Sequence, residues 1–151
     1  MPAETRVFLD TSVLFAAVLS ETGGSRLILK LGEASALRLF VGPRVLQEAE
    51  SVLTRKAPQH KGHFALLLDR ANVVVGPSPD KGALGQASAI VEYAPDAHVL
   101  AEAIAAGSDY FVSLDRKHLV GNPRAALLSF PIGTPGDFLA WFRERVQAKA
   151  E

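Results

Sequence analysis

Short, wholly apolar runs alternate with longer stretches of helical periodicity along the chain, and polar or Gly/Pro-bearing turns separate them. Arg6-Val7-Phe8-Leu9 predicts a strand ending at Asp10, and Val13 to Leu19 predicts a helix after the polar Thr11-Ser12. Ser25 to Ala36, with Leu27, Ile28 and Leu31 at helical spacing, predicts a second helix, and Leu37 to Val41 a second strand stopped by Gly42-Pro43. Pro43 suits a first helical turn, and Val45, Leu46, Ala49, Val52 and Leu53 give the next helix one apolar face to about Lys56. His60 to Ala71 is a further helix, Asn72 to Val75 a third strand, and residues 80 to 92 a weak helix. Pro95 opens a clearer helix that Gly107 stops, and Tyr110 to Leu114 is a fourth strand ending at Asp115. Leu127 to Ile132, interrupted by Pro131, predicts a fifth strand at a sheet edge. Thr134-Pro135-Gly136-Asp137 has the form of a capping box opening a last helix through Phe138, Leu139, Trp141, Phe142 and Val146.

Strands this apolar leave neither face for water, so the alternation predicts an α/β fold with a parallel sheet covered on both sides. At 151 residues, 48% of them hydrophobic and 21% charged, the chain suits one domain over residues 1–151. The absence of cysteine excludes disulfides, thiolate metal sites and cysteine nucleophiles, and favours the cytoplasm. The start has no basic segment or cleavage site of an export signal, and the longest apolar runs, such as Val13 to Leu19, fall far below the roughly 18 residues that span a bilayer, so no membrane association is expected. Sixteen Lys and Arg balance sixteen Asp and Glu, so any polyanionic partner must be held locally.

In parallel α/β folds ligands bind beyond the carboxyl ends of the strands. Asp10 follows the first strand and Asp115 the fourth, which puts both at that edge. Asp96 stands in the first turn of the helix after Pro95, three and four residues before the apolar Val99 and Leu100, and so on its buried face. Glu48, between Val45 and Val52, flanks the apolar stripe of its helix. Each acid alone has an ordinary explanation as a cap, a turn residue or a solvated helix position. Four carboxylates converging in one cleft would instead repel and desolvate one another unless a cation sat among them. Oxygen-rich donors with the hydroxyls of Ser12 and Ser113 suit Mg²⁺ or Mn²⁺, ions that activate water and neutralise charge on a phosphodiester, so the implied chemistry is phosphoryl transfer. Asp109 reads as a turn residue, and His60, His63, His98 and His118, without triad or metal spacing, read as surface or structural residues.

Val7-Phe8-Leu9-Asp10-Thr11-Ser12-Val13-Leu14, the helix carrying Glu48, and the block from Pro95-Asp96 through Gly107-Ser108-Asp109 to Ser113-Leu114-Asp115 together resemble the PIN-domain family of metal-dependent nucleases, over residues 6 to about 132. Within it they are most similar to toxin components of toxin–antitoxin pairs. The resemblance implies a three-layer α/β/α sandwich around a parallel sheet of about five strands. It also implies Mg²⁺ or Mn²⁺ held by Asp10, Glu48, Asp96 and Asp115, hydrolysis of RNA phosphodiester bonds, and an antitoxin protein as partner. By the same carry-over Ser12 and Ser113 are supporting hydroxyls that orient water or a carboxylate. The chain departs from the family pattern where Ser113 replaces a threonine, and where Lys117 stands in place of a further acid. The second departure weakens the case for a second metal ion and sets Arg116 and Lys117 beside the cleft as substrate-binding cations. Phe138, Trp141 and Phe142 have two uses, packing on the chain's own sheet or forming a homodimer. Two rival functions remain: a non-catalytic RNA- or protein-binding module of the same fold, and a phosphoacceptor receiver domain, which would require an acid adjacent to Asp10 that the chain lacks.

Overall fold

A computed structural model describes residues 4–150. Five strands, β1 (Arg6–Leu9), β2 (Arg38–Val41), β3 (Val74–Val75), β4 (Tyr110–Val112) and β5 (Ile132–Gly133), form one sheet in the order β3-β2-β1-β4-β5, and every pairing is parallel. The helices are α1 (Thr11–Leu19), α2 (Gly24–Glu33), α3 (Pro43–Lys56), α4 (Lys61–Arg70), α5 (Lys81–Ser88), α6 (Ala94–Ala105) and α7 (Pro135–Ala150). Together they make a three-layer α/β/α sandwich. Val7, Phe8 and Leu9 are all fully buried although consecutive side chains on a strand point to opposite faces, so both faces of β1 are covered. Phe8 meets Phe111 of β4 edge to face at 5.3 Å between centroids. Among the described residues no single helix is long and apolar enough to cross a membrane.

From β1 the chain winds outward through β2 to β3, then returns to lay β4 against the other side of β1 and continues to β5. The winding direction reverses between β1 and β4, and a crevice opens beyond the carboxyl ends of two strands at such a reversal. Leu9 and Val112 are register partners across that pair, so the residues that follow them, Asp10 and Ser113, emerge side by side.

Several boundaries differ from the sequence expectation. The fifth strand begins only at Ile132, because residues 123–127 form a 3₁₀ turn opened by Asn122, whose side chain caps Arg124 N–H at 2.9 Å. It does lie at the sheet edge, and Pro131 stands just before it, where its missing N–H costs no ladder bond. The second helix stops at Glu33, three residues short of Ala36, and Ser35 then takes a left-handed φ of 60° to turn the chain into β2. The weak helix narrows to Lys81–Ser88, with Asp80 capping Ala83 N–H at 2.8 Å. The capping box of α7 forms in both directions: Thr134 Oγ1 accepts from Asp137 N–H at 3.1 Å and Asp137 accepts from Thr134 N–H at 3.0 Å. The aromatic residues of α7 pack on the chain's own sheet, Tyr110 lying 5.1 Å from Phe138 and 4.9 Å from Trp141.

Candidate metal centre

Asp10 is the N-cap of α1, and its Oδ1 accepts from the Thr11 N–H at 2.8 Å. Its Oδ2 receives the Ser113 hydroxyl at 2.7 Å and the Ser12 hydroxyl at 3.3 Å. Both hydroxyls also accept in return: Ser113 Oγ from Asp115 N–H at 3.0 Å, and Ser12 Oγ from Leu114 N–H at 3.2 Å. The two serines thus stitch the loop after β4 to the loop after β1, and Ser113 is fully buried in doing so. Asp115 closes its own turn, its Oδ1 accepting from the N–H groups of Lys117 at 2.8 Å and His118 at 3.1 Å. That turn returns the His118 imidazole to the acids, with Nδ1 at 2.7 Å from Asp96 Oδ2 and 3.6 Å from Asp115 Oδ2. Asp96 comes from the first turn of α6, and the three side chains are roughly three-quarters buried, at 22%, 24% and 28% relative exposure for Asp96, Asp115 and His118.

Electrostatics separates the acids. Burial pushes Asp10 above its ordinary value, against the pull of hydrogen bonds from Ser113, Thr11 and Ser12, and the charge of Asp115 adds to the rise. Asp96 is pushed up to about 6 by burial, by the hydrogen bond it shares with the Asp115 carboxyl and by that group's charge, which His118 offsets only in part. Burial also presses Asp115 upward, but the bond from Asp96, the two backbone N–H groups and the His118 charge outweigh it and hold the group below its ordinary value. The two neighbouring carboxyls are thus driven apart, Asp96 toward its protonated form and Asp115 toward its charged form.

The donor set fits a divalent ion. One atom each from Asp96, Asp115 and His118 lies within 4.8 Å of the others. Two carboxylates and an imidazole suit a divalent cation, and the Ser113 hydroxyl links the Asp10 carboxylate to the backbone N–H of Asp115. Of the sequence-predicted acids, the fold brings Asp10, Asp96 and Asp115 to this one edge. Glu48 lies on an exposed face of α3, and no hydrogen bond or ion pair joins it to them among the described residues. Arg116 and Lys117 are exposed on the rim and line, with His118, a cleft of about 650 Å³ that opens beside the acids. Asp109, read as a turn residue, accepts the Arg6 N–H at 2.8 Å and anchors the start of β1.

Two residues escaped sequence reasoning. His118 lacks metal spacing to any other histidine, yet it follows Asp115 by three residues, the separation at which a turn folds a side chain back onto the first. Glu102 is 1% exposed and accepts from the N–H groups of Arg44 at 2.8 Å and Val45 at 3.3 Å, at the first turn of α3. Its signal was a lone acid inside the apolar run Val99 to Ala106, where only a partnered carboxylate can be buried. Burial raises its pKa, with those two backbone bonds and the charges of His98 and Arg44 opposing.

A parallel sheet that reverses direction between β1 and β4, with acids gathered at the reversal, defines an α/β domain built to handle charge at its strand ends. The chain belongs to the PIN domain family, whose model matches residues 6–117. No curated protein matches it. Among solved structures it is similar to PAE2754 from Pyrobaculum aerophilum, at 16% identity and a TM-score of 0.59, covering 90% of this chain and 88% of that one. It is also similar to VapBC2 from Rickettsia felis, solved bound to a DNA fragment from their promoter, at 15% identity and a TM-score of 0.63, covering 85% of this chain and 97% of that one.

Proposed function

We propose that the protein is a metal-dependent endoribonuclease and the toxin of a toxin–antitoxin pair. The observation that carries this is the meeting of Asp10, Asp96 and Asp115, from three distant segments, at the crevice where the sheet reverses. Membership of the PIN domain family, whose members are generally nucleases, supports it. Asp96, Asp115 and His118 are the nearest donors for Mg²⁺ or Mn²⁺, with Asp10 completing the negative wall and Glu48 an outer group from α3. When bound, such an ion activates water and neutralises charge on the phosphodiester. The chain's own part is positional. Ser113 and Ser12 hold Asp10, the turn N–H groups hold Asp115, and Arg116 and Lys117 face the phosphates flanking the scissile bond. By the same reading the protein works in the cytoplasm, as a homodimer with an antitoxin partner. The Rickettsia felis neighbour, solved on a promoter fragment, supports the antitoxin partnership alone.

The test is a ribonuclease assay of wild-type protein and Asp10→Asn prepared in parallel, with Mn²⁺. Activity should fall at least a hundredfold in the variant; equal rates in both would mean a contaminant or a different site. A non-catalytic RNA- or protein-binding module has one observation in its favour: Glu48 is exposed, and among the described residues no hydrogen bond or ion pair joins it to the three aspartates. Millimolar Mn²⁺ separates the two readings. A working centre raises the melting temperature through preferential binding to the folded state, and a binding module leaves it unmoved.

A further inference from the structure

Tyr93 is 52% exposed at the N-cap of α6, three residues before Asp96, and one face of its ring stacks on the His118 imidazole at 4.8 Å with the planes 19° apart. The two rings line the cleft of about 650 Å³ beside the acids, between the segment Ile90–Tyr93 and the loop that follows Asp115. The cleft also carries Arg116, Lys117 and Arg124 against the single carboxylate of Glu92, a local cationic excess in a chain whose charges cancel. Its walls are tied together: the Asn122 side-chain amide donates to the Ile90 carbonyl at 3.1 Å and to the His118 carbonyl at 2.9 Å, and Leu119 is fully buried beneath. An exposed aromatic ring held flat against a second ring and bordered by cations is the arrangement that stacks an unpaired nucleobase while the cations follow its backbone.

We propose that the Tyr93–His118 stack is a nucleobase platform, seating one unpaired base of a single-stranded RNA next to the scissile phosphate, with Arg124 holding the strand farther along the cleft. The inference rests on the ribonuclease reading and goes beyond it in naming how the substrate is held. The experiment measures binding of a fluorescent 12-nucleotide single-stranded RNA, and of copies made abasic at one position in turn, to Asp10→Asn protein with Mn²⁺. Against this background Tyr93→Ala should weaken binding of the intact strand roughly tenfold and Tyr93→Phe should not. One abasic position should cost the Tyr93 protein the same factor and cost Tyr93→Ala nothing. Arg124→Ala should weaken intact and abasic strands alike and lower the salt slope by about one. If RNA binds but Tyr93→Ala matches its parent on every strand, the platform is overturned while the nuclease reading stands. If no strand binds the parent protein, both are overturned.

Discussion

Asp96 and His118 show how a single contact sets the chemistry of this edge. The carboxyl of Asp96, ordinarily near 3.8, titrates at about 6 in the folded protein. The native state therefore holds a proton that the unfolded chain has released between those values. The contribution to stability is complete below 3.8 and is lost as the pH rises through 6. Between pH 4 and about 6 metal-free wild type should therefore lose more stability, or gain less, than Asp96→Asn in parallel calorimetric scans. Identical changes in the two proteins would place the effect elsewhere. His118, 2.7 Å from Asp96, orients the carboxylate whether it acts as donor or ligand. His118→Ala should weaken Mn²⁺ binding by about ten- to a hundredfold by titration calorimetry, the usual loss when a partner of a metal-binding carboxylate is removed. Asp96 could be found from its place in a helix's first turn. His118 could not be found from histidine spacing, because its partners are acids on another helix and on its own turn.

Glu102 does for α3 what Asp10 does for α1, but from another element. The first turn of α3 has no capping side chain of its own at Gly42, and the buried Glu102 of α6 supplies the acceptor for its orphan N–H groups. Gly42 is required there because a Cβ would collide with the Glu102 side chain. Glu102→Ala should cost about 2–4 kcal/mol in urea unfolding by leaving two N–H groups without their acceptor and opening a void. Gly42→Ala should cost about 1–3 kcal/mol by overpacking. Equal stability in either variant would mean that α3 is capped by other means. Capping inside one segment, as in the box of Thr134 and Asp137, is written in adjacent residues; capping between α6 and α3 is not, since 58 residues separate Arg44 from Glu102.

Across the whole protein the charge is balanced and its placement is not. The acids gather at the sheet reversal and three cations line the adjoining cleft, so a polyanion meets local attraction beside the centre. RNA affinity should fall with salt, and Lys117→Ala should reduce the logarithmic slope by about one without changing base preference. A slope identical to wild type would assign Lys117 to solvation alone.

Strand and helix periodicity, with the glycines, prolines and caps that punctuate it, sufficed to predict a parallel α/β alternation and to put Asp10 and Asp115 at strand ends and Asp96 at a helix start, because each of these is a property of a few neighbouring residues. The 3₁₀ turn that delays β5 is itself local, opened by Asn122 two residues before Arg124, yet the apolar run Leu127 to Ile132 reads as strand in spite of it. Which side chains meet is decided by packing. The order β3-β2-β1-β4-β5 sets β4 beside β1, and with it Ser113 against Asp10. The turn after Asp115 delivers His118 to Asp96 and Tyr93, while α3 packs with Glu48 toward solvent. Contacts between segments far apart in the chain depend on how whole elements bury their apolar faces, and no local pattern encodes the register that results.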